Sequence, residues 1–202
     1  VSQYLESSNA NGDTTFVNAA ESSTFNDRLI WITPKAFFPA LEMRAMRVAR
    51  ERLLHYFSIT GRFPLSNRYL VDTSCWTYGG RLPYPTSGNP CLPAGNGASA
   101  EQWTMAWPTW FFSNYWDYVL HYAVAERCTS NSGTICDGSC NYLRVDGTDG
   151  TRALLIRQGI NTGQTRPCTA VSQCLDDAEN SDSDRDYITP VAGNDKLTII
   201  SP

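Results

Sequence analysis

The chain has only two histidines among its 202 residues, His55 and His121, and neither sits in a catalytic motif. There is no Gly-x-Ser-x-Gly elbow, no His-Glu-x-x-His helix and no glycine loop placed to cradle a phosphate. A catalytic reading has little to stand on, and both histidines are read as core or surface residues. Positive charge is scarce too: the net charge of -4 argues against the basic face a nucleic-acid binder needs. Arg44, Arg47, Arg50 and Arg52 do gather beside Glu42 and Glu51, and they read as the wet face of one helix. No run of about 18 apolar residues occurs, so nothing visible here spans a bilayer as a helix. Nor does Val1-Ser2-Gln3 open a signal peptide.

Cysteine is what the chain does have. Seven of them, at positions 75, 91, 128, 136, 140, 168 and 174, lie in loop-like sequence rich in Gly, Ser, Asn and Thr. That pattern suits disulfides in an oxidising compartment, whether extracellular, at the cell surface or periplasmic. Cys75 with Cys91 and Cys168 with Cys174 are the expected local pairs, with one more bridge among Cys128, Cys136 and Cys140. The odd thiol is either free or paired outside the chain. Structural zinc at Cys128, Cys136 and Cys140 is the competing reading, but it lacks a second close pair. An oxidised chain without a visible export signal implies that the signal lay upstream, where any membrane anchor would lie as well.

The last stretch repeats the first. Val1-Ser2-Gln3-Tyr4-Leu5-Glu6 returns as Val171-Ser172-Gln173-Cys174-Leu175-Asp176, and Asn26-Asp27-Arg28-Leu29 as Asn194-Asp195-Lys196-Leu197. Self-similarity at a long offset is the mark of a duplicated module. Residues 1–34 are read as the tail of a preceding module and residues 35–202 as one globular module.

Within that module the pattern predicts an α+β fold, one long amphipathic helix on an antiparallel sheet with disulfide-held loops. Thr33 is a good N-cap and Pro34 a good first helical residue. Pro39 disfavours an uninterrupted helix, so a short turn over 34–37 is expected before a main helix over 40–58. Leu41, Val48 and Leu53 mark its apolar face, and Gly61 and Pro64 end it. Residues 65–105 read as a long surface excursion. Strands are expected over 28–32, 118–125, 142–145 and 153–157, with a closing hairpin of 187–189 against 196–200.

Two clusters invite a site. Trp107, Trp110 and Trp116 belong to an aromatic run that serves either as a core layer or as a sugar-binding platform. Asn180, Asp182 and Asp184 lie at alternate positions of an acidic turn, a spacing that suits calcium. Position twelve of that loop is Val191, so it is not an EF-hand. The first repeat carries Asn9, Asn11 and Asp13 at the same spacing with less charge.

The order of parts resembles the globular module of type IV pilin-like proteins. The matching segments are Arg50-Glu51-Arg52-Leu53-Leu54 leading to Gly61-Arg62-Phe63-Pro64, then Trp116-Asp117-Tyr118 before Leu120-His121-Tyr122. Ala153-Leu154-Leu155-Ile156, Gly163-Gln164-Thr165-Arg166-Pro167 and Asn26-Asp27-Arg28-Leu29 are similar to further segments of the same family pattern. Tyr115-Trp116-Asp117-Tyr118 lacks the glycine that the family places after the tryptophan. The resemblance implies a minor pilin or pseudopilin, a non-catalytic filament subunit whose partners are other such subunits. Its membrane attachment would run only through an upstream helix, and calcium in the C-terminal loops is known in that family. A secreted adhesive or carbohydrate-binding module is the alternative.

Overall fold

Thr33 and Pro34 start the helix as their chemistry requires. In the computed structural model the Ala36 N–H bonds the Thr33 side chain at 3.2 Å, and α1 runs Pro34–Thr60. The structure describes residues 16–17, 20, 22–23, 33–69, 75–76, 79–85, 91–92, 103, 107–125, 142–159, 168–182, 184–191 and 195–200. The chain divides into two compact units, Val1–Phe37 and Phe38–Pro202. In the first, Phe16 and Val17 are exposed. The expected strand over 28–32 and the first acidic turn lie outside the described residues.

The helix does not break at Pro39. It is continuous for 27 residues, about 40 Å at 1.5 Å per residue. Proline removes one backbone donor there, and the flanking turns carry the helix across the gap. At the far end Gly61, at φ +69, donates its N–H to Phe57 O at 2.7 Å and stops the helix in the left-handed region.

The buried face of α1 is Ala45, Met46, Ala49, Leu53 and Tyr56, with Val48 only partly covered. Glu42 corrects the expected wet face: it is buried, and its Oε2 accepts from Arg157 Nη1 at 2.7 Å. Arg44, Arg47 and Arg50 are exposed.

A six-stranded sheet carries the helix. Its strands are β1 (Ser66–Asn67), β2 (Cys75–Trp76), β3 (Gly80–Arg81), β4 (Leu120–Val124), β7 (Ala153–Arg157) and β9 (Lys196–Ile200). They lie in the order β2-β1-β3-β4-β7-β9, and neighbours in this sheet pair antiparallel. The expected surface excursion thus contributes three strands at one side of the sheet, with Ser66, Asn67 and Arg81 buried. Strand β4 begins at Leu120, two residues later than expected, because Trp116–Val119 coil into a helical turn.

The closing hairpin is replaced by a split. A second sheet of three strands holds β5 (Leu143–Val145), β6 (Thr148–Thr151) and β8 (Asp186–Tyr187), in the order β6-β5-β8. There β8 runs parallel to β5, while β9 crosses to pair antiparallel with β7. Asp146 and Gly147, both at positive φ, make the two-residue turn between β5 and β6 that favours Asp-Gly.

Alternation along β4 divides the core. Leu120, Tyr122 and Val124 meet α1, with Ala153, Leu155 and Ile200 from the neighbouring strands. Ala123 and Ala125 face the other way, with Leu154 and Ile156, onto Leu143, Val145, Tyr187 and the Cys168–Leu175 segment. The main sheet is covered on both faces, by helix and by small sheet.

Candidate functional site

Two short helices shape a groove. α2 (Thr109–Ser113) and α3 (Trp116–Val119) are separated by Tyr115, which sits in the left-handed region at φ 57. A bulky residue rarely adopts that conformation. Here the backbone fixes it: Tyr115 N–H reaches Phe112 O at 3.0 Å, and Tyr118 N–H reaches Tyr115 O at 3.0 Å. The turn brings Ser113, Tyr115, Asp117 and Tyr118 around a cavity of about 260 Å³, closed on the other side by Arg81, Tyr84 and Phe112.

Its floor is a buried ion pair. Arg81 Nη1 donates to Asp117 Oδ2 at 2.9 Å, and both side chains are almost fully enclosed. The Arg81 guanidinium also lies 4.0 Å from the Tyr118 ring centre and donates from Nε to Arg68 O at 3.3 Å. The rim is aromatic and open to solvent: Tyr115 is 68% exposed and Tyr84 40% exposed. Tyr84 stands edge-on to Phe112 at 5.0 Å, and Tyr115 edge-on to Tyr118 at 6.0 Å. Sequence reasoning missed this groove. The signal available was a lone carboxylate inside an aromatic run, Asp117, because an isolated charge among large apolar residues needs a partner.

The three tryptophans expected as candidates are layers of the core. Trp107, Trp110 and Trp116 are each partly buried against it, and Trp103, fully buried, donates from Nε1 to Pro83 O at 3.0 Å. Trp107 meets Trp103 at 5.0 Å and Phe111 at 4.5 Å. Arg44 lies over Trp110 at 4.9 Å, so part of the arginine face serves as a lid on aromatic surface.

The acidic turn is organised by its own backbone. Asn180 is buried and clasps Ile188 twice, accepting from Ile188 N–H at 2.9 Å and donating to Ile188 O at 3.0 Å. Asp182 and Asp184 are exposed; Asp182 Oδ1 accepts from Asp184 N–H at 3.2 Å and Asp184 Oδ1 from Asp186 N–H at 2.6 Å. Glu179 is held above the usual carboxylate range by desolvation, then by Asp182, Asp184, Asp186 and Asp177. Asp186 itself meets Arg144 at 3.2 Å. Among the described residues, no three His, Cys, Asp or Glu side chains converge as metal ligands.

The histidines separate as a pair. His55 is exposed on α1, whereas His121 is enclosed, with Nδ1 3.0 Å from the Tyr69 hydroxyl. Burial lowers its pKa to about 3, so it is neutral at physiological pH. A Cβ on Gly79, which sits at φ +138, would meet its Nε2 at 2.6 Å, and that close approach requires glycine.

The structure bridges Cys75 to Cys91 and Cys168 to Cys174, with Cα atoms 5.2 and 5.6 Å apart. The first ties β2 to a turn whose Cys91 O accepts from Leu65 N–H at 3.0 Å. The second closes a 3-10 turn over Val171–Gln173. Cys128, Cys136 and Cys140 lie outside the described residues. No helix among the described residues is long and apolar enough to cross a membrane.

No protein-family model, no curated protein and no solved structure matches this chain.

Proposed function

We propose that this chain is a non-catalytic structural subunit of an extracellular filament or secretion pseudopilus, of the type IV pilin-like kind. The observation that carries the reading is the uneven cover of α1. From Glu42 to Tyr56 the helix buries a continuous stripe, yet near its start Phe37, Phe38 and Met43 are 50%, 43% and 65% exposed. Exposed apolar side chains of this kind leave surface near the start of the helix for a partner to cover. A mixed α/β module with one long helix on an antiparallel sheet, and with disulfides suited to an oxidising compartment, supports the same reading. The partners would be other subunits packing their own helices there.

The test uses the cells that make the protein. Surface appendages are sheared off, sedimented and probed with antibody against the chain. The expected result is co-sedimentation with filaments, lost in Phe38→Asp and Met43→Asp variants that still fold. Recovery solely as free monomer would overturn the reading. The adhesive alternative on Trp107, Trp110 and Trp116 has less support, because those rings are packed on the core.

A further inference from the structure

We infer that the groove between α2, α3 and β3 binds one neutral sugar ring, a function separate from assembly and from the tryptophans. Three features define the ligand class. Net charge comes first: Arg81 and Asp117 neutralise each other at 2.9 Å and are almost fully enclosed, so the groove offers no net charge to draw an acid or a base. Ser113, Tyr84, Tyr115 and Tyr118 also line the groove, and their hydroxyls both donate and accept, which a neutral molecule dense in hydroxyls matches. The open tyrosines come second: Tyr84 and Tyr115 line the groove and stay exposed, which leaves aromatic surface for the apolar C–H face of a pyranose. Size comes third. A cavity of about 260 Å³ falls below the roughly 300–1,000 Å³ of drug-sized sites and suits a single ring.

The groove is also built in a way that packing alone does not demand. A buried ion pair is weak support for stability, and an apolar pair of similar volume often serves as well. Tyr115 holds a left-handed conformation that glycine or asparagine would adopt at lower cost. Strained residues of this kind cluster where a ligand is clamped.

Saturation-transfer NMR on the folded chain tests the inference, with the methyl pyranosides of glucose, galactose, mannose and N-acetylglucosamine as probes. N-acetylneuraminic acid is the charged comparison, and lactose and cellobiose distinguish a glycan end from a free sugar. The expected result is transfer to the ring protons of at least one neutral pyranoside, weak or absent for the acid. Transfer confined to the terminal ring of a disaccharide assigns the site to a glycan end; transfer to monosaccharides alone assigns it to free sugar. Tyr115→Gly, which suits the backbone, and Tyr84→Ala, at an exposed position, should each weaken binding about fivefold. Val191→Ser, on an exposed turn, should leave it unchanged. No transfer to any neutral probe, preference for the acid, or full binding in both tyrosine variants would each overturn the assignment.

Discussion

The two faces of the main sheet are held in different ways. Toward α1 the contact is broad and mostly apolar, Ala45, Ala49, Leu53 and Tyr56 on Leu120, Tyr122, Leu155 and Ile200. Charge enters it through the buried contact of Glu42 with Arg157. Toward the small sheet the apolar area is supplemented by a disulfide and by side chains that bond backbone directly. Asn180 clasps Ile188, Asp195 Oδ2 accepts from Asp176 N–H at 2.6 Å, and Asp146 holds Thr189 by its N–H and hydroxyl. A helix supplies its own backbone partners, so its face needs only shape. The segments from 168 to 195 have little regular structure among their described residues, and their buried backbone groups must be satisfied one by one.

The largest expected effect lies on the helical face. Removing one partner of a buried ion pair strands the other, at about 3–5 kcal/mol. Glu42→Ala should therefore lower unfolding free energy by about that much, while the double variant Glu42→Leu/Arg157→Met should recover most of it. Chemical denaturation measures both. If Glu42→Ala costs under about 1 kcal/mol, the pair is a surface contact in practice and the contrast between the faces weakens.

The other face should carry the pH dependence. His121 titrates near 3 in the folded protein, against an ordinary value of 6.5. Between these values the unfolded chain binds the extra proton, so stability rises with pH and is lost as pH falls below about 6.5. At pH 5 the loss from this group should be about 2 kcal/mol relative to neutral pH. His121→Gln should flatten the stability profile between pH 7 and 4, whatever its cost at neutral pH. A slope unchanged by the substitution would place the titration elsewhere.

Disulfide reduction comes next. Cys168 and Cys174 are separated by 6 positions and close a small loop, for which chain entropy gives about 2 kcal/mol. Replacing both with serine should lower stability by that amount and loosen amide protection over 168–176 before it affects α1. Equal loss of protection in both regions would show that the two faces unfold as one.

Legibility in the sequence divides along the same line. The cap at Thr33 and Pro34, the stop at Gly61, and strands β5, β7 and β9 each carry a local signal of capping or alternation. Continuity through Pro39 was not legible, because propensity penalises a proline without knowing what packs beyond it. The parallel pairing of β8 with β5 escaped for another reason. Two residues have no period, and the bonds that pair them with β5, Arg144 N–H to Arg185 O and Asp146 N–H to Tyr187 O, join segments about 40 positions apart. Asp146-Gly147 was a usable hairpin signal, but it names only the turn and not the sheet. Arg81 and Asp117 are 36 positions apart, so their pairing had no local trace.

The smallest expected effect concerns the acidic turn, and it tests how far side chain to backbone bonds account for that face. Asp184 is exposed, and its Oδ1 accepts one bond from the N–H of Asp186. A net hydrogen bond contributes about 0.5–1.5 kcal/mol, so Asp184→Ala should cost at most that. Asn180→Ala removes a buried clasp and should cost more, about 1–3 kcal/mol, since both Ile188 backbone groups then lose the bonds it supplies. If the turn is held by its own backbone bonds, both losses should be the same in excess chelator and in millimolar calcium. If calcium holds it instead, melting temperature should rise with calcium in the wild type and lose that dependence in Asp184→Ala. The expected outcome is the first, because the Oδ1 atoms of Asn180, Asp182 and Asp184 each already accept a backbone N–H within this segment.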